Sequence, residues 1–265
     1  MAQLMVVKKA FDERGIHRMN VFSAENVDSN WKDLYKIGGV AAITAAVLIP
    51  IEIIILTVWP LPTTVMGYLT LFQSNNLIGL IDAYLLEVVA YVLMVPMFLA
   101  IYLALRRVNG GYMVLATILA IMGITVFLAT NNPFSMLVLS RQYAAATTEA
   151  QKSMILAAWQ AILVNTNQRA VGGFNMGFFL ISVGGLLVSA VMLRSNIFSK
   201  ATAYVGILAF AISLSDYVRI IVAPSAFTLT LVIALASAVF LIIWLILVGR
   251  RLLQIERAIS KERAL

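Results

Sequence analysis

Long apolar runs, each closed by a short polar or charged stretch, set the pattern of this chain from about residue 37 onward. Runs long enough to cross a hydrocarbon core of ~30 Å as a helix lie near 37–59, 77–105, 112–130, 171–193, 201–222 and 226–249. In lipid a backbone must satisfy its own hydrogen bonds, so these runs predict an all-α, polytopic membrane bundle of six transmembrane helices. Basic residues fall at alternate ends. Lys8 through Lys36 precede the first run, Arg106 and Arg107 follow the second, Arg194 and Lys200 the fourth, and Arg250, Arg251, Arg257, Lys261 and Arg263 the last. Basic flanks face the cytoplasm, which puts both termini there. The opposite loops 60–76 and 223–225 carry no charge, while 131–170, with Arg141, Lys152 and Arg169, is the exception.

That long outer segment is too apolar for a solvated loop and carries two helix-start signals, Asn132-Pro133 and Thr148-Glu149-Ala150-Gln151, the second spaced as a capping box. It predicts a hairpin of two short helices, 134–145 and 149–164, acting either as a packing cap or as a lid. The chain therefore divides into an amphipathic cytoplasmic segment (1–35), a membrane domain (36–250) containing the hairpin, and a basic cytoplasmic tail (251–265). Residues Met1 to Met19 and Leu252 to Ala264 mix basic and apolar positions as helices on an anionic inner leaflet do. Trp59 and Tyr68 outside, and Trp31, Tyr35 and Tyr112 inside, suit interfacial anchoring. In the fourth run Gly173 and Gly177, with Gly184 and Gly185, permit close helix approach within the monomer or across a homo-oligomer contact. Pro50 and Pro96 fall inside runs.

Composition agrees with a bilayer as solvent: 62% of the 265 residues are hydrophobic, 12% are charged, and mean hydropathy is +0.96. The net charge of +7 resides at the ends of apolar runs, so it reflects topology and not nucleic-acid binding. The first thirty residues lack an apolar core followed by a small-residue cleavage site, and so do not read as a secretory signal. There is no cysteine, and the single histidine, His17, precedes the first run. Thiolate chemistry, haem or zinc held by histidines, Glu-x-x-His di-iron sites and Ser-His dyads are excluded from the bundle, and no lysine lies deep enough for a retinal Schiff base. Leu80-Ile81-Asp82-Ala83-Tyr84 and Leu214-Ser215-Asp216-Tyr217 lack the Gly-x-Gly-Asp pattern of intramembrane aspartyl proteases. No cofactor, no metal and no catalytic residue is expected.

Trp31-Lys32-Asp33-Leu34-Tyr35-Lys36 through Val40, the run Asn131-Asn132-Pro133-Phe134-Ser135-Met136-Leu137 with Tyr143 through Gln151, and Val191-Met192-Leu193-Arg194-Ser195 with Thr202 through Leu208 resemble a prokaryotic multi-pass membrane family, domain of unknown function 4386. The resemblance spans roughly residues 31–250. It implies a protein of a bacterial or archaeal cell membrane and carries no activity to transfer.

Ionisable groups within the runs mark where chemistry belongs, since each is costly at depth unless it meets a partner or a water-filled cavity. Counted at ~1.5 Å per residue from the outer helix ends, Glu52 lies ~10 Å deep, Asp82 ~8 Å, Glu87 ~15 Å, Asp216 ~9 Å and Arg219 ~5 Å. Tyr84 and Tyr91 are neutral partners at similar depth, and Asn131, Asn132, Arg141 and Tyr143 are the polar candidates of the hairpin. Brought together, the first five would form an outward acidic pocket for a cation, a small amine or protons. The alternative is a scaffold, accessory subunit or sensor whose charges fix helix packing, with a membrane-protein partner or a second copy against it.

Overall fold

The computed structural model describes residues 31–60, 62, 64–82, 85–165, 175–223 and 226–262, and every regular element among them is a helix. In chain order these are α1 (Lys32–Val58), α2 (Val65–Ser74), α3 (Asn76–Asp82), α4 (Leu85–Leu105), α5 (Gly110–Thr130), α6 (Pro133–Ala145), α7 (Glu149–Asn165), α8 (Met176–Met192), α9 (Lys200–Val222) and α10 (Phe227–Glu262). The amphipathic segment expected over the first thirty residues, Tyr84 and Gly173 lie outside the described residues, as does the side chain of Asp82.

Five of these helices, α1, α4, α5, α9 and α10, are long and apolar enough to cross a membrane. The fourth expected run appears as α8, an apolar helix of 17 residues whose expected first turn lies outside the described residues. Neighbours in sequence are neighbours in space. Helices α1, α4, α5, α8, α9 and α10 pack side by side in that order, and α10 closes the ring against α1.

Small residues make this closure possible. Between α5 and α8, a β-carbon added to Gly123 would lie 2.7 Å from the carbonyl oxygen of Gly177, and one added to Gly177 would lie 2.7 Å from that of Gly123. Backbone meets backbone there. A second such contact joins α1 to α10, where β-carbons on Gly39 and Gly249 would lie 3.1 and 2.9 Å from each other's carbonyl oxygens. Gly177, Gly184 and Gly185 of the fourth run therefore serve packing within the chain.

Helix starts follow the local chemistry. Asn109, Asn132, Asn175 and Ser199 each accept a hydrogen bond from the backbone N–H three residues on, at 3.1–3.2 Å, and so cap α5, α6, α8 and α9. At α7 the expected capping box forms in both directions: Thr148 Oγ1 accepts from the Gln151 N–H at 3.3 Å, and Gln151 Oε1 accepts from the Thr148 N–H at 3.3 Å. The hairpin therefore occupies Pro133–Ala145 and Glu149–Asn165, as its start signals require.

Three expectations need correction. The apolar run 77–105 is not one helix: residues 76–82 form α3, and the long helix α4 begins only at Leu85. Leu80 packs on a separate apolar cluster with Tyr68, Leu69, Phe72, Met136, Trp159 and Leu163. Trp159 is fully buried in that cluster, with ring centres 5.8 Å from both Tyr68 and Phe72. Tyr68 and Tyr35 are accordingly core residues, at 1% and 0% exposure, and not interfacial anchors, whereas Trp31, Trp59 and Tyr112 are about half exposed. The tail after residue 250 continues α10 as one helix, with Leu252, Ile255 and Ile259 buried in the same core as Tyr35 and Lys32 paired to Glu256 at 3.7 Å. Its apolar face is spent on protein and not on lipid.

Because the atoms a new methyl would meet at Gly123 are backbone atoms of α8, they cannot yield cheaply. Gly123→Ala is expected to destabilise the protein by roughly 1–3 kcal/mol, read as a lower unfolding temperature in detergent. Gly110→Ala, where nothing lies within 4 Å of the added carbon, should leave that temperature unchanged or slightly raised.

Candidate functional site

The ring encloses a cavity of about 260 Å³, walled by α1, α4, α8, α9 and α10. Three of the expected acids reach it: Glu52 from α1, Glu87 from α4 and Asp216 from α9. Glu52 and Asp216 sit six residues before the ends of their helices, in accord with the depths counted from sequence. Glu87 is nearer to its helix start than one unbroken helix over 77–105 implies. It occupies the first turn of α4, two residues from the helix start, where the helix dipole favours a carboxylate. The break between α3 and α4, invisible to hydropathy, accounts for the difference.

Arg219 is not on the cavity wall but reaches it through Asp216. Its Nε donates to Asp216 Oδ1 at 2.6 Å, with side-chain exposures of 9% and 21%, and its Nη1 donates to the Ala223 carbonyl at 3.4 Å beyond the end of α9. A cation in the last turn also answers the helix dipole. Among the described residues lining the cavity there is no lysine, arginine or histidine. Nor do three of the described acids converge as ligands of one metal ion.

Aromatic side chains complete the upper wall. Tyr91 packs on Phe127 and Phe178, with ring centres 4.4 and 5.5 Å away, so α5 backs the wall without lining it. Tyr217 donates to the carbonyl of Asn175 at 2.9 Å and so ties α9 to the start of α8. Midway down, the hydroxyls of Ser182 and Ser213 lie 3.0 Å apart across the α8–α9 contact.

The hairpin candidates are elsewhere. Asn131 is 2% exposed and turns its amide back on the carbonyl of Phe127, and Asn132 caps α6. Tyr143 packs on the Trp159 cluster and Arg141 is exposed. None of the four lines the cavity.

What sequence reasoning missed is the contribution of α10. Thr230, Ala234, Ser237 and Ala238 line the cavity at helical spacing, and Trp244 with Phe98 and Phe210 lies farther down. A stripe of small and hydroxyl residues within an otherwise bulky run was the available signal. Thr230 is 8% exposed, and its hydroxyl has no hydrogen-bond partner among the described residues.

An all-helical chain with several membrane-length apolar helices around an acid-lined central cavity is, in class, a polytopic membrane protein. Residues 34–249 match the family Domain of unknown function (DUF4386), and the chain belongs to that family. No curated protein and no solved structure matches it.

The Asp216–Arg219 pair can be tested by removing its members singly and together. Arg219→Gln, which leaves a largely buried carboxylate without its cation, is expected to cost about 3 kcal/mol. Asp216→Asn combined with Arg219→Gln should cost less than Arg219→Gln alone. Chemical denaturation in detergent, analysed as a double-mutant cycle, measures the difference.

Proposed function

We propose that this chain is a non-enzymatic membrane protein that binds, and carries across the cell membrane of a bacterium or archaeon, a small cation, amine or proton through an outward-facing acidic cavity. The observation that carries the reading is the arrival of Glu52, Glu87 and Asp216, from three different helices, on one cavity wall whose described lining residues include no lysine, arginine or histidine. Isolated structural charges pair locally and need no cavity, whereas carboxylates facing a shared space favour cationic occupants. Tyr91 stands on the wall of the same proposed site.

The proposed topology is six spans, the 17-residue α8 being the shortest, with both termini cytoplasmic and the α6–α7 hairpin outside. Its support is the gathering of Lys32, Arg106, Arg194, Lys200 and Arg250 at the helix ends opposite the hairpin. The absence of cysteine makes a direct test simple. A membrane-impermeant maleimide should label Thr148→Cys in intact cells and Gln254→Cys only after permeabilisation. The reverse pattern would overturn the orientation.

The reading as a scaffold, accessory subunit or sensor draws on the local pairing of Asp216 with Arg219 and on exposed apolar residues of the hairpin, Phe134, Val138 and Met154. Flux in proteoliposomes separates the two. For transport, Na⁺, K⁺, H⁺ or methylammonium flux is expected in the native protein, falling by roughly tenfold or more in Glu52→Gln and Glu87→Gln, as loss of a charge-assisted contact implies. No flux with any of these ions, together with a partner retained in mild detergent, would favour the scaffold.

A further inference from the structure

The cavity has two chemically different ends. At the level of the hairpin end stand Glu52, Glu87, Asp216 and the unpartnered hydroxyl of Thr230. Toward the opposite end the wall loses its charges and becomes aromatic. Phe210 meets Trp244 edge-on, with ring centres 5.1 Å apart, and Phe98 lies 6.4 Å from the same indole. From Thr230 to Trp244 along α10 is ~21 Å, and from Glu87 to Phe98 along α4 ~16 Å. The space is therefore long and narrow, acidic above and apolar below.

An inorganic cation would use only the upper end and make no use of the aromatic half, whose Phe98, Phe210 and Trp244 belong to the hydrophobic core. A hydrophilic polyamine would set a second ammonium against Phe98, Phe210 and Trp244, where no carboxylate among the lining residues could meet it. One ligand class satisfies both ends.

We propose that the cavity binds an amphiphilic monoamine, with its ammonium head among Glu52, Glu87, Asp216 and Thr230 and its apolar body directed toward Phe98, Phe210 and Trp244. The inference rests on the cavity being a cation site, and it goes further in naming the ligand's shape. Tyr91 and Tyr217 line the wall beside the acids, and the Thr230 hydroxyl oxygen accepts one of the ammonium N–H groups. A volume near 260 Å³ sets the body at the small end of the range for ligand sites, ~300–1,000 Å³.

The test is calorimetric titration of the full chain in nanodiscs with n-alkylammonium ions from methyl to hexyl, phenethylammonium and the matched alcohols, with empty nanodiscs subtracted. Affinity is expected to rise with each added methylene, by up to roughly fourfold per carbon, and alcohols of equal length should bind at least tenfold more weakly. Phe210→Ser should flatten the dependence on chain length, and Glu87→Gln should weaken every ammonium alike. The native protein's chain-length series stands even if a variant fails to fold. Binding of Na⁺ or methylammonium without chain-length dependence would overturn the amphiphile and leave the cation site standing. Alcohols binding as tightly as amines would overturn the role of charge, and no binding by any cation would overturn both readings.

Discussion

Apolar side chains gain little from burial against one another when lipid already surrounds them, so a helix bundle in a bilayer is held by how closely its backbones approach. Here that constraint is met by glycine facing glycine. Gly123 and Gly177 bring α5 onto α8, and Gly39 and Gly249 bring α10 onto α1, closing a ring of six helices. With these contacts fixed, the spacing of the other walls follows. Inside that ring the cavity is lined by α1, α4, α8, α9 and α10, the last presenting its small residues Thr230, Ala234, Ser237 and Ala238.

The cavity's electrostatics depend on that arrangement more than on any one acid. Arg219 lies one turn from Asp216 on the same helix, so their pairing is local and would survive almost any packing. Glu52 and Glu87 have no such neighbour on their own helices within a turn, and only the α1–α4 contact brings them to a common wall. The same contact places the acids above an aromatic lower half. The two-ended character of the site is thus a property of the ring and not of any single helix.

Of the two roles open to the hairpin α6–α7, cap or lid, its contacts are those of packing. Its buried residues face α2 and α3 through Trp159, Tyr68 and Phe72, forming a second, smaller core outside the ring. Its asparagines are occupied as caps. Nothing in the hairpin reaches the cavity wall, which makes it a folded unit beside the site.

From the sequence came those features that depend on chemistry within about one helical turn or on total apolar length: the long helices, the caps at Asn132 and Thr148, the glycines that permit contact, and the places of Glu52 and Asp216 near helix ends. Hydropathy could not separate α3 from α4, because it scores an apolar residue alike whether it faces lipid or protein, and so Glu87 was counted within a longer helix than the one it begins. For the same reason Tyr35, Tyr68 and the face of α10 after residue 250 looked like membrane-surface features and proved to be core. The α10 stripe of Thr230, Ala234 and Ser237 was visible as residues but had no meaning until the ring fixed which face of α10 turns inward. Tertiary structure alone decided which acids share one space, since that depends on the rotation of each helix about its axis, and a nearly uniform apolar surface leaves that rotation unspecified.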